Sequence, residues 1–441
     1  MRVLHLRTGC RLHFGLMELA AEEPLRYAGL GMMLDEPGFE LSFARPHSDA
    51  SYSTAGRAPC DFTASGCNTT HFASVNTFGN SPGNSPSSMA SGVTSGMTSL
   101  RGPTSVDASQ VELARVLSRG ERAKLTLEYQ RRMSTVVQQH PVFEQATNAA
   151  QAAECQIRLI KALPMHSGLG AGTQLACAVA AGLELFVRGG QAEGFPEDWP
   201  SDHGTTEHAP ASQAQHWRSA FTAQPLNSTQ WLTKAAGRGL RSAIGLFGFL
   251  HGGLILDRGY PASLAQETHL SPGLCAGGRP LACQSTPVAS QWRVVLIVPQ
   301  NRQEVSGAQE TQWMAELESL PNPHRNDMLS LAEEAMSLAS KPHSFNDFTH
   351  CLDQYMELAG QLFSRFQGGL YNGPDVAAAV QCARRIGLRG VGQSSWGPTV
   401  FGFVESQALA QAYAASLSEL RSDWCVRVAR PASHAAEYRW Q

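Results

Sequence analysis

The 441-residue chain has little excess charge of either sign. Lys and Arg number 34 against 37 Asp and Glu, a formal net charge of −3. No global basic field exists of the kind that supplies nucleic-acid affinity, so nucleic acid is not an expected partner. Metal-finger spacing is absent as well. None of the ten cysteines pairs as C-x-x-C, and neither Cys60 with Cys67 nor Cys275 with Cys283 forms a zinc framework with nearby histidines. Long apolar runs are also missing. The strongest, Ala243–Asp257, is broken by glycines and a histidine and is too short and polar to cross a bilayer, so no membrane is expected. The opening "MRVLHLRTGCRLHF" carries Arg2, Arg7 and Arg11 and reads as a strand, not as the apolar core of a signal peptide. Together these absences predict a cytoplasmic protein with reduced thiols, some buried as small hydrophobes. The length and the 42% hydrophobic content allow two or three domains around a substantial core.

Order along the chain is uneven. Strand-like runs separated by glycine turns reach Phe43. From about 47 to 110 the text turns to Ser, Gly, Asn, Thr and Pro, as in "SVNTFGNSPGNSPSSMASG", which cannot bury enough apolar surface to offset its ordering entropy. A surface insertion is expected there and a second at about 191–230. A helical period resumes after Val111, and "AECQIRLIKALP" reads as a strand. "QWRVVLIVP" opens a last part as a strand. Helices are expected at 307–320, 326–338, 346–366, 375–386 and 407–420, with a final strand at "WCVRVARP". The expected division is an N-terminal domain over 1–285 and a C-terminal α+β domain over 286–441.

Between the 156–161 strand and an alanine-rich helix lies "LPMHSGLGAGTQLACAVAAG". A helix N-terminus presents unpaired N–H groups and a positive dipole end, and so suits an anion. Gly168, Gly170 and Gly172 remove Cβ atoms where a phosphate would approach the backbone. Ser167, Leu169, Ala171, Thr173 and Gln174 complete the predicted phosphate loop, Thr173 and Gln174 as side-chain donors. A glycine-rich turn that merely starts a helix would look the same. The loop is not a P-loop, because G-x-x-x-x-G-K-[ST] is absent.

"PMHSGLGAGTQLA" resembles the second motif of the GHMP kinase superfamily, "TGCRLHFGL" its first and "GVGQSSWGPTVFGFV" its third, in the same order. "RLHFGL", "GRGLRSAIGLFGFLHGGLILDRG", "FQGGLYNGP" and "GVGQSSWGP" resemble the beta-ribofuranosylaminobenzene 5'-phosphate synthase family within it. The resemblance leaves out the two insertions. It implies an α+β, GHMP kinase-type two-domain fold with low-complexity insertions. The activity it implies is condensation of 4-aminobenzoate, or 4-hydroxybenzoate, with phosphoribosyl pyrophosphate. Carbon dioxide and pyrophosphate leave, in the service of tetrahydromethanopterin synthesis. Small-molecule substrates are the partners so implied, and a homodimer is left open.

One position separates this reading from an ATP-dependent small-molecule kinase. The mevalonate-type kinases of the superfamily carry S-G-I-D where this chain reads "SAIG", which puts Gly245 at the aspartate. Glycine can neither take nor orient a proton. Asp257 or Glu18 would have to serve a kinase instead, and a non-catalytic ligand-binding member is a third alternative. Departure of pyrophosphate from a ribosyl carbon calls for backbone donors, cations and Mg²⁺. Its protein ligands are not legible. Lys234, Arg238 and Arg241, interspersed with glycine, are the candidate cations, Lys234 for substrate. Arg11 and His13 alternate on one face of the first strand and, with His166, complete the catalytic candidates. From the residues alone a partly exposed strand face explains the first two more simply, and the resemblance tips them to the site; loop capping explains His166 equally simply. Gln393, Ser394, Ser395 and Trp396 are the candidate substrate contacts, Trp396 as a stacking surface. Gln367 and Tyr371 are weaker ones. Asp353 and Glu357 read most simply as a solvated helix face; Glu304 and Glu310 have the reach for an amine or Mg²⁺, but a helix start by Ser306 and Glu310 is simpler.

Overall fold

The computed structural model describes residues 2–18, 25–45, 105–106, 119–144, 146–191, 217–219, 229–239, 241–261, 282–299 and 308–441. Most of both predicted insertions, with Glu304 and Ser306, lie outside them. Met1–Arg45 and Gly102–Gln441 belong to one compact unit.

The first 45 residues fold mainly into two long strands, β1 (Leu4–Glu18) and β3 (Ala28–Ala44), with the two-residue β2 (Leu25–Arg26) between them. Along β1 the even positions Leu4, Leu6, Cys10, Leu12 and Phe14 are buried, as period-two patterning requires. Arg11 and His13 occupy the other face. The β1–β3 register shifts between Thr8 and Cys10. A Cβ on Gly9 would overlap the Leu34 carbonyl oxygen, so only glycine fits that bulge.

Further strands extend this sheet. They are β4 (Ser105–Val106), β5 (Gln156–Lys161), β6 (Arg218–Ser219), β7 (Leu254–Asp257), β9 (Cys283–Thr286) and β14 (Glu437–Trp440); β8 (Tyr260–Pro261) pairs separately with β2. The order is β4-β5-β3-β1-β14-β6, with β7 on the other half of β3 and β9 beyond it. Every pair is antiparallel except β4–β5. The C-terminal residues thus return to pair with the first strand.

Helices α1 (Arg119–Gln139), α2 (Ala146–Ala153), α3 (Ala171–Gln191), α4 (Thr229–Ala236) and α5 (Ile244–His251) belong to this part of the chain. Helix α3 is the central one, buried continuously from Gln174 to Val187. Its small residues allow that approach: a Cβ on Gly182 would overlap the Phe43 ring.

A second, antiparallel sheet runs β11 (Arg389–Gln393), β12 (Val400–Val404), β10 (Arg293–Pro299), β13 (Trp424–Ala429). Around it stand α6 (Ala308–Leu317), α7 (Arg325–Leu338), α8 (Phe345–Gln367), α9 (Pro374–Ile386) and α10 (Gln407–Leu420), close to the sequence expectation. The fold is mixed α+β. Helix α8 ties the two sheets together. Asp353, expected on a solvated face, accepts the amides of Gly390 and Val391 on β11 at 3.3 and 3.0 Å. On the other side Tyr355 donates to the Gly15 carbonyl at 2.8 Å. Gly15 lacks the Cβ that would overlap Ala359.

Candidate active site

The loop before α3, the middle of β1 and the β11–β12 turn lock together through their backbones. Arg11 N–H donates to the Leu169 carbonyl at 3.0 Å, and Ser395 N–H to the His13 carbonyl at 3.0 Å. The Ser394 hydroxyl donates to the Gly168 carbonyl at 2.7 Å and accepts His13 N–H at 3.1 Å. The Thr399 hydroxyl donates to the Ser167 carbonyl at 2.6 Å. A Cβ on Gly168, at φ +81°, would overlap the Ser394 carbonyl oxygen. His166 and Ser395 also sit at positive φ, 55° and 57°. Three segments far apart in sequence thus fix one another's main chain around the helix mouth.

Above that mouth lies a cleft of about 280 Å³, whose lining includes Arg11, Arg132, His166, Gly172, Arg238 and Glu310. Three guanidinium groups face it. Arg11 Nε and Nη1 are buried and find no hydrogen-bond partner among the described residues. Burial pulls the Arg11 guanidinium down to about 10. Arg238 is lowered too, by burial first and then by the charge of Arg132. Cations crowded together at a helix N-terminus, one with unmatched buried donors, have the chemistry that suits a polyanion. Arg132 is held by Glu128 one turn earlier on α1, at 3.0 and 2.7 Å, and the same carboxylate oxygen meets His166 Nε2 at 3.1 Å. Glu310 is the one carboxylate among the described residues lining the cleft.

A second, narrow slot adjoins the cleft and shares Ser395 and Trp396 with it. Its apolar walls come from Leu16 on β1, Met314 on α6 and Met356 and Phe363 on α8. The Trp396 ring meets Phe363 edge-on at 4.9 Å between centroids and Trp313 at 5.3 Å. Gln367, Tyr371 and Gln393 add polar groups, and no Lys, Arg, Asp or Glu is among the described lining residues. His13 borders the slot, two residues from Arg11 in the cleft. It is buried, with Nε2 3.3 Å from Ser242 Oγ. Burial, followed by the Arg11 charge, pushes it well below the usual imidazole range, so it is neutral near pH 7.

Most of the residues singled out from sequence meet here; some do not. Arg11, His166, Ser167, Gly168, Gly170, Ala171, Gly172, Thr173, Arg238, Ser395 and Trp396 line the cleft, and His13 and Gln393 the slot. Leu169 is a core residue that contributes its carbonyl. Gln174 is fully buried, donating to the Gly245 carbonyl at 2.7 Å and accepting from Thr8 at 2.8 Å, so it braces the loop from beneath. Ser394 likewise clamps the backbone. Lys234 is exposed and pairs with Glu144 at 3.1 Å, and Arg241 is exposed outside the cleft lining. Helical geometry turned Lys234 outward while the turn after α4 brought Arg238 inward. Asp257, the alternative kinase carboxylate, is fully buried and accepts the amides of Ala243 and Gly259 at 2.8 and 3.0 Å. Glu18 is 1% exposed. Arg132 and Glu128 were missed, and Glu310, read more simply as a helix start than as a contact to an amine or Mg²⁺, lines the cleft. The i, i+4 spacing of Glu128 and Arg132 was visible, but such pairs are common on solvated helix faces.

Comparison with known proteins adds three findings. Residues 350–421, spanning part of α8 through α10, match the family model described as GHMP kinases C terminal. The chain is 24% identical over 244 residues to beta-ribofuranosylphenol 5'-phosphate synthase of Methanothermobacter thermautotrophicus. That match takes in 55% of this chain and spans 62% of the relative's length. Solved structures similar to it include mevalonate pyrophosphate decarboxylase from Streptococcus pyogenes, with TM-score 0.49, 9% identity and coverage of 98% and 97% of the two chains. Homoserine kinase from Cytophaga hutchinsonii has TM-score 0.44, 12% identity and coverage of 100% and 97%.

Proposed function

We propose that the chain is a decarboxylating transferase that joins phosphoribosyl pyrophosphate to 4-hydroxybenzoate or 4-aminobenzoate. The products are a beta-ribofuranosyl-arene 5'-phosphate, carbon dioxide and pyrophosphate. The observation that carries this reading is the pair of unpartnered buried Arg11 nitrogens in a three-arginine cleft that opens beside an uncharged aromatic slot. The relative's name, with its ribofuranosylphenol, supports the same class of product.

In this reading the cleft takes the diphosphate and the slot the ring. The ring carbon bearing the carboxylate attacks the ribosyl C1, and the C1–oxygen bond breaks with its electron pair leaving on pyrophosphate. The ring–carboxylate bond then breaks, its pair restoring aromaticity, and carbon dioxide departs. No proton is gained or lost overall. The chemistry therefore needs no general base, which suits a slot bordered by a neutral His13 and no carboxylate, and a glycine at 245. Arg11, Arg132 and Arg238 stabilise the charge that develops on the leaving diphosphate. Mg²⁺, when bound, would supply further charge neutralisation on the diphosphate. Among the described residues no group of three or more metal-ligating side chains exists, and Glu310 is the cleft carboxylate that could reach such an ion.

The GHMP kinase match at 350–421 favours one other reading, ATP-dependent phosphorylation of a small alcohol. One assay separates the two. The protein is incubated with Mg²⁺, phosphoribosyl pyrophosphate and each carboxyl-labelled benzoate, and in parallel with ATP and candidate alcohols. Labelled carbon dioxide is the expected product. ADP formation without carbon dioxide release would replace the transferase by a kinase.

A further inference from the structure

The slot carries a polar feature that the reaction outlined above does not use. Gln367 ends α8 and is 8% exposed; Gln393 ends β11 beside it. Their amides are oriented by a chain of hydrogen bonds. Asn372 N–H donates at 2.7 Å, which requires oxygen at Gln393 Oε1. Gln393 Nε2 then uses its two protons on the Ser395 carbonyl at 2.8 Å and on Gln367 Oε1 at 3.2 Å. Gln367 Nε2 accordingly donates to the Leu370 carbonyl at 2.9 Å. Among the described residues each amide oxygen accepts one of its two possible bonds, and one Gln367 proton has no partner. A pair of which Gln367 is buried and Gln393 half-buried, still offering acceptors and a donor in an uncharged slot, is matched by a single neutral polar group on a flat ring.

We propose that the Gln367–Gln393 pair is the specificity-determining contact for the aryl acceptor, hydrogen-bonding the hydroxyl or amino group para to its carboxylate. The inference rests on the transferase reading for the identity of the ring. It fixes the direction in which the ring binds. A carboxylate placed among the uncharged slot residues would be desolvated without a counter-ion, whereas the shared Ser395–Trp396 wall leads to the Arg11 side. The carboxylate-bearing carbon therefore faces the cleft, and the para group faces the glutamines. As the ring attacks, electron density flows from the para oxygen or nitrogen into it. The O–H or N–H becomes more acidic, and the amide oxygens hold it more strongly.

The test is equilibrium binding of 4-hydroxybenzoate and of benzoate to the full chain, with inorganic pyrophosphate binding measured alongside. Wild type should prefer 4-hydroxybenzoate by about tenfold or more, the worth of one well-satisfied buried hydrogen bond. Gln367→Leu and Gln367→Met should bring that ratio close to one and leave pyrophosphate affinity unchanged, which also reports that the variants are folded. A ratio unchanged in both variants, or a wild type that binds the two ligands alike, overturns the proposal. The two readings fail separately. Carbon dioxide release with an unaltered binding ratio would leave the transferase standing without this contact. Loss of the ratio in a protein that releases no carbon dioxide would leave the contact standing without the transferase.

Discussion

Replacing Arg11 by methionine should stabilise the free protein and cripple anion binding at once. The Arg11 guanidinium is held in a buried place where Nε and Nη1 have no partner, and burial lowers it to about 10. That fall corresponds to roughly 3 kcal/mol against the charged form, at about 1.4 kcal/mol for each tenfold change in proton affinity. The sign follows from linkage. The unfolded chain holds this proton more tightly than the folded one, so below about pH 10 the charge opposes folding, and the penalty fades above that pH. Methionine keeps most of the volume without the charge. Arg11→Met should therefore raise unfolding free energy at pH 7 by about 1–3 kcal/mol in urea titrations, less than the full penalty because contacts of the stem change too. The same substitution removes the cation with free donors from the cleft. Pyrophosphate affinity should fall by roughly 30-fold or more, the cost of losing one partner of a buried charged contact. Wild type should gain about 2.7 kcal/mol from the ligand at a hundredfold excess over its Kd, and the variant about 1 kcal/mol or less at the same concentration. A variant that is less stable than wild type and binds pyrophosphate normally would refute the reasoning, because Arg11 would then be a satisfied structural cation.

Gly168→Ala meets the Ser394 carbonyl oxygen at a φ of +81°, so kcat/KM should drop at least tenfold and stability by about 1–3 kcal/mol in the same titration. Normal kinetics would remove the loop–turn clamp from the site. Gly245→Asp should create no ADP-forming activity. The would-be Cβ lies 3.1 Å from Thr173 Cγ2, in a buried position beneath the loop, so a carboxylate there should cost about 3 kcal/mol, read by thermal or urea unfolding. His13 is neutral when folded, so below about pH 6.5 the unfolded chain takes up a proton that the folded one refuses. Wild-type stability should fall with pH there by up to about 1.4 kcal/mol per pH unit more than that of His13→Gln, and parallel pH dependences in the two proteins would contradict a buried neutral imidazole.

The local spelling carried a large part of this protein. The period-two pattern of "RVLHLRTGCRLHF" specified a strand with Arg11 and His13 on one face. The glycines of "HSGLGAGTQLA" and the apolar helix behind them specified an anion-ready turn, and helix periodicity set the elements after residue 308 to within two or three residues. These are properties of short stretches, decided by side-chain alternation and backbone freedom, and a linear reading reaches them. Whether a charge faces a cleft or solvent is a different matter. Lys234 and Arg241 flank Arg238 in the same glycine-studded segment, yet only Arg238 lines the cleft; the helix phase of α4 and the turn that follows it made the choice. Gln174 looked like a phosphate donor and became a brace because Thr8 and Gly245, from two other elements, came within hydrogen-bond reach. Arg132 and Glu310 entered the site from helices with no motif of their own, and Gln367 met Gln393 only because α8 packs against β11. Such juxtapositions are long-range packing events, fixed by which faces the core buries, and only the tertiary structure decides them.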